Sequence, residues 1–183
     1  MRLVDKRTRV SRRLFLRGTA AALPAAAVAA AGLSITAQSA WAQDAKSLPP
    51  HVMASLVKMA RDIYPHDHIG DSFYVAAVQP WDDKAGADPA FRVLMIEGVA
   101  RLDSDAKDSH GADYLSVAWE ADRVVLLQGI AQTPFFKKAR SDLVVSLYNQ
   151  QALWPKLGYE GPSAEHGGYI HRGFDDIDWL PSA

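Results

Sequence analysis

Prolines punctuate the chain after residue 43 where helices begin, and the apolar residues between them recur at steps of three and four. Pro49-Pro50 precedes Val52, Leu56, Met59 and Ile63, and Pro65 follows. A proline is tolerated in a first helical turn, where its missing N–H has no partner to lose, and it stops a helix elsewhere. Asp71 opens a short segment with Phe73, Tyr74, Ala77 and Val78 that Pro80 cuts. Asp88-Pro89 is a capping residue followed by a proline, ahead of Phe91, Leu94, Met95, Val99 and Leu102. Asp103 to Asp113 is polar and reads as a linker. A fourth helix is expected from about Val117 to Gln128, broken by Gly129. Thr133-Pro134 caps a fifth, with Phe136, Ala139, Leu143 and Leu147 on one face. No run alternates with period two, so the fold class is all-α, an irregular bundle of about five helices.

The charge distribution divides the chain in two. Residues 1–42 hold seven Lys/Arg and one Asp, whereas residues 43–183 hold 13 Lys/Arg against 20 Asp/Glu. The basic segment reads Ser11-Arg12-Arg13-Leu14-Phe15-Leu16-Arg17 and is followed by 25 uncharged residues, Gly18 to Ala42. That order is the n-region and h-region of an export signal. Ala40-Trp41-Ala42 supplies the small-x-small pattern, which places cleavage after Ala42. The string SRRLFLR resembles the twin-arginine motif, in which Arg12, Arg13, Phe15 and Leu16 are read by a translocase that exports folded proteins. A retained membrane anchor is the competing reading, but 12 of the 25 residues are Ala, so the segment is weakly apolar.

The remaining 141 residues suit one compact domain. Its acidic balance repels phosphates, which argues against nucleic-acid binding. Zero cysteines exclude disulfides, thiolate nucleophiles, cysteine-held iron–sulfur clusters and c-type haem. Residues 155–183 form an extended C-terminal segment with five glycines, yet it carries Tyr159, Tyr169, Phe174 and Trp179. A solvated linker has no use for such rings; they suit anchors for another surface.

Chemistry is sparse. His66-Asp67-His68 follows the first helix, and Glu165-His166 or His171 could complete a metal site with it, although the spacing gives no sign of convergence. Asp175, Asp176 and Asp178 read as a solvated acidic face. Gly167-Gly168 lacks the strand and helix of a phosphate cradle. Met53 and Met59 belong to an apolar stripe and not to haem ligation. A binding module or enzyme subunit therefore fits better than a free-standing enzyme.

Several blocks together carry a resemblance. Leu56 to Pro65 (LVKMARDIYP), Thr133-Pro134-Phe135-Phe136, Val144 to Asn149 (VVSLYN), Trp154 to Pro162 (WPKLGYEGP) and Gly167-Gly168-Tyr169, behind a twin-arginine signal, resemble the small (gamma) subunit family of gluconate 2-dehydrogenase, also called subunit 3. The resemblance implies a non-catalytic small subunit that escorts and stabilises a large FAD-dependent dehydrogenase of the glucose–methanol–choline type. That complex oxidises sugars or sugar acids in the periplasm, at the inner membrane, and passes electrons to a separate cytochrome c subunit. FAD belongs to the partner, so this chain is expected to hold no cofactor, no metal and no catalytic residue. The candidate partner-binding residues are Tyr64, Phe135, Phe136, Tyr148, Trp154, Gly158, Tyr159, Tyr169 and Trp179. Two other readings remain, a periplasmic histidine-rich metal-binding protein and an unrelated helical adaptor.

Overall fold

The computed structural model describes residues 41–172. The chain divides into an N-terminal unit, Met1–Asp44, and a helical unit, Ala45–Ala183. Of the first, only a 3-10 turn at Trp41–Asp44 is described, in which Ala42 is buried. The export motif Arg12, Arg13, Phe15 and Leu16, the cleavage residue Ala40, and Trp179 with Phe174, Asp175, Asp176 and Asp178 lie outside the described residues.

The second unit is all-helical, with no strand among the described residues. Its α-helices are α1 (Pro50–Ile63), α2 (Asp71–Val78), α3 (Pro80–Ala87), α4 (Pro89–His110), α5 (Glu120–Gly129) and α6 (Pro134–Tyr148). Four of these six begin on a proline, for the reason the sequence suggests. Asp88 caps α4 by accepting from the N–H groups of Ala90 and Phe91. Thr133 caps α6 through Oγ1, which accepts from Phe136 N at 3.2 Å. Helix α1 is central: it touches α2, α4, α5 and α6, and it buries Val52, Met53, Leu56, Met59 and Ala60.

Three elements depart from the sequence expectation. Pro80 stops α2 but also starts α3, so the described residues hold six helices where five were expected. The supposed linker Asp103 to Asp113 is mostly helix: α4 continues to His110 because Leu102, Asp103 and Ala106 all face inward. Asp103 is tolerated there because Oδ1 accepts from Tyr114 N at 3.0 Å and Oδ2 lies 2.6 Å from His51 Nε2. Helix α4 ends at Gly111, whose φ of 70° is the left-handed conformation that glycine adopts without strain. The fourth expected helix also starts later, at Glu120, with Tyr114–Ser116 forming a 3-10 turn before it. Beyond α6, residues Gln151–Leu157 and Ser163–His166 form further 3-10 turns.

Candidate functional site

The best-defined surface feature lies where the end of α1 meets the end of α6. Pro65 breaks α1 just after Tyr64, turning the chain so that Tyr64 and His66 face the last turn of α6. The Tyr64 and Tyr148 rings meet edge to face at 5.6 Å, and His66 stands 5.7 Å from Tyr148 in the same geometry. His66 Nε2 lies 2.8 Å from the Tyr148 hydroxyl. Tyr64 donates its hydroxyl to Arg140 O, and its own carbonyl accepts from Tyr74 at 2.6 Å. Burial, with the neighbouring His68 adding to it, lowers the His66 pKa, which favours the neutral ring. Burial, reinforced by Tyr64, raises the Tyr148 pKa and keeps that phenol protonated.

The C-terminal segment is tied to this cluster by a hydrogen bond. Trp154 Nε1 donates to Tyr148 O at 2.8 Å, and the Trp154 and Tyr159 rings meet at 5.2 Å, again edge to face. Two edge-to-face pairs, Tyr64 with Tyr148 and Trp154 with Tyr159, are thus linked through the Tyr148 backbone into a ladder of partly exposed rings, although 95 residues separate its first and last members. Edge-to-face pairs of this kind hold rings in fixed orientations. Gln150 secures the turn beneath by donating to Phe73 O and Ser146 O, both at 3.0 Å.

Next to the ladder, α1, α5 and α6 leave a groove of about 230 Å³ lined by Ile63, Val124, Leu127, Ala131 and Phe136, with Gln128 and Arg140 at its polar edge. Its walls are braced from within. Arg123 on α5 reaches Asp62 on α1 through Nε at 2.7 Å and Nη2 at 2.8 Å. Tyr114 donates to the same carboxylate at 2.6 Å, and Arg123 Nη1 donates to the carbonyls of Val117 and Ala118. The side chains of Arg123 and Asp62 are 5% and 1% exposed, so this is a fully desolvated pair with most of its donors satisfied. Sequence reasoning passed over both residues. The signal was present, because each is a charge in the buried phase of its helix: Asp62 follows Ser55 and Met59, and Arg123 precedes Leu126 and Leu127.

The other candidate residues fall in different places. Phe136 lines the groove, and Tyr169 is exposed on the C-terminal segment. Gly158 has a φ of 72° and ends the 3-10 turn that carries Trp154. Phe135 is only 3% exposed and packs into the bundle against Gly98, so it belongs to the core and not to a surface. His66 and His68 adjoin each other at 5.9 Å, whereas His166 Nε2 lies 3.1 Å from Glu160 O. Among the described residues, no three metal-ligating side chains converge. No described helix is long and apolar enough to cross a membrane. Compared with known protein families, curated proteins and solved structures, the chain matches none.

Proposed function

We propose that this chain is the non-catalytic small subunit of an FAD-dependent sugar or sugar-acid dehydrogenase complex of the gluconate type. The observation that carries the reading is the ladder of partly exposed rings beside an apolar groove, in the same blocks of sequence that carry the resemblance to the gluconate 2-dehydrogenase small subunits. Rigid aromatic rings bury large areas at little entropic cost, and such residues dominate the energetics of interfaces. Tyr64, Tyr148 and Phe136 form the docking face in this proposal, and the large flavoprotein is its occupant.

The twin-arginine segment gives the subunit a second task. A flavoprotein folds around its cofactor before it crosses a membrane, so a partner without its own signal needs an escort that is exported folded. This chain is that escort in the proposal, and the complex works in the periplasm with a cytochrome c subunit as the electron exit. Replacing Arg12 and Arg13 with lysine keeps the charge but removes the planar guanidinium donors. The expected result is that both this chain and the flavoprotein stay in the cytoplasm. A flavoprotein that still reaches the periplasm in normal amount refutes the escort role. For the docking face, Tyr148→Ala should weaken the complex by about 2 kcal/mol, on the order of 30-fold in Kd. An unchanged Kd would remove the ladder from the interface.

A further inference from the structure

The far end of the ladder differs from the docking face. Beyond Tyr148 the rings of Trp154 and Tyr159, in edge-to-face contact, line a solvent-open pocket of about 390 Å³ together with Gln151, Pro155, Gly158 and Glu160. That volume falls in the usual range for small-molecule sites. We infer that this pocket, held by Trp154, Tyr159, Gln151 and Glu160, is a binding site for a hexopyranose sugar.

Four observations select that chemistry. First, the indole N–H of Trp154 is spent on Tyr148 O. An indole has one donor, so what it offers a ligand is an apolar π surface, held in a fixed orientation. A polyproline segment would want that N–H for its carbonyls, whereas the C–H face of a sugar ring wants only the negative π face. Second, Tyr159 stands at 77° to Trp154, so the two rings form a bent platform instead of a parallel slot. A bent platform suits a puckered ring better than a flat aromatic ligand. Third, the polar lining is planar and balanced. Gln151 brings an amide that both donates and accepts, and the Glu160 carboxylate is ion-paired with Arg172. The Glu160 carboxylate offers acceptors and the Gln151 amide a donor beside an acceptor, the pattern that neighbouring hydroxyls require. Because Arg172 already balances Glu160, a cationic ammonium ligand finds only the rings there and gains no free carboxylate. Fourth, Gly158 lies in the wall with a φ of 72°, and no atom lies within 4 Å of where its Cβ would be. The left-handed conformation favours glycine there, so no side chain stands on that part of the wall.

The site is separate from any flavin chemistry and does not depend on the subunit assignment, since it uses this chain's residues alone. Its test is saturation-transfer NMR on the full-length isolated chain with D-glucose as the probe, and with sorbitol and choline as comparisons. Sorbitol carries the same kinds of hydroxyl without the ring. The expected result is transfer to glucose ring protons, much weaker transfer to sorbitol and choline, and about a tenfold loss of glucose affinity in Tyr159→Ala. Tyr159 is 45% exposed, so that variant should keep the fold. Gln151→Ala, another exposed position, should also weaken glucose while leaving the far-UV spectrum unchanged. Absence of transfer to glucose, equal transfer to glucose and sorbitol, stronger transfer to choline, or full retention in both folded variants would each overturn the inference. None of these outcomes depends on whether a flavoprotein binds.

Discussion

Asp62→Asn is nearly isosteric and leaves Arg123 buried beside a neutral amide. In the native protein the carboxylate accepts from Arg123 Nε, Arg123 Nη2 and the Tyr114 hydroxyl, all within 2.8 Å. The amide offers one oxygen in their place, and its NH2 group faces donors. Arg123 keeps only its Nη1 bonds to the carbonyls of Val117 and Ala118. With the guanidinium side chain 5% exposed, water cannot take over the lost partners. Breaking a buried pair from one side costs about 3–5 kcal/mol, a large part of the 5–15 kcal/mol typical of a whole domain. For a domain of this size the loss corresponds to roughly a 10–15 °C fall in Tm. Urea unfolding followed by far-UV circular dichroism would measure it. The double replacement Asp62→Leu with Arg123→Met, made in a Tyr114→Phe background so that no buried phenol loses its acceptor, removes both charges and should recover a good part of the loss, because apolar residues of similar volume replace buried ion pairs at little cost. A single variant within about 0.5 kcal/mol of wild type, or a double variant no better than the single, would refute the argument that desolvation makes this brace matter.

Two further outcomes follow from the same packing. A Cβ on Gly98 would overlap the Phe135 ring where α4 and α6 cross, so Gly98→Ala should destabilise by about 1–2 kcal/mol after the roughly 1 kcal/mol gain in helix propensity is deducted. Phe135→Leu should relieve that clash in the double variant, and additive losses in a double-mutant cycle would contradict the close approach. Stability should also fall from both ends of the pH scale. Burial, and then the Asp62 carboxylate, push the Tyr114 phenol up, so the unfolded chain releases a proton above pH ~10 that the folded chain retains. The stability Tyr114 gives is thus complete below that pH and drains away as pH rises, and Tyr114→Phe should flatten the alkaline slope. For Asp82, burial pushes the pKa up, but the N–H groups of Lys46, Ser47 and Leu48 outweigh it and the net shift is down from 3.8. That contribution is present above pH 3.8 and is lost as pH falls through the lower folded value, so Asp82→Asn should lessen the acid dependence in urea midpoints.

The helical class and most helix starts were legible, because proline at the first turn and an Asx or Thr cap are local chemistry. Pro80 misled because a proline that ends one helix serves equally as the first residue of the next. The end of α4 was hidden by charge: Asp103, Asp105 and Asp108 make the segment look solvated, and only the partners of Asp103, from α1 and the Tyr114 turn, show why one of them faces inward. Gly98 inside a helix was itself a sign of close approach, but that Phe135 is the ring that approaches it shows only once α4 and α6 cross. The rings of the ladder were legible one at a time as anchors. Their contiguity was not, because Tyr64 and Tyr148 meet only after Pro65 turns the chain back toward α6. Asp62 and Arg123 were legible as misplaced charges but could be paired only once α1 and α5 were side by side.

The central claim is that this chain holds no reaction of its own and binds a flavoprotein that does. The most direct measurement is purification of the full chain from its own cells through a C-terminal tag, with an absorbance spectrum and a sugar-dependent dye-reduction assay on the product before and after the subunits are separated. The account predicts a large partner that carries flavin absorbance and the dye-reducing activity, retained by wild type and diminished by Tyr148→Ala, with neither property in this polypeptide alone. Flavin absorbance that stays with the separated chain, or a purified chain with no flavoprotein attached, would contradict it.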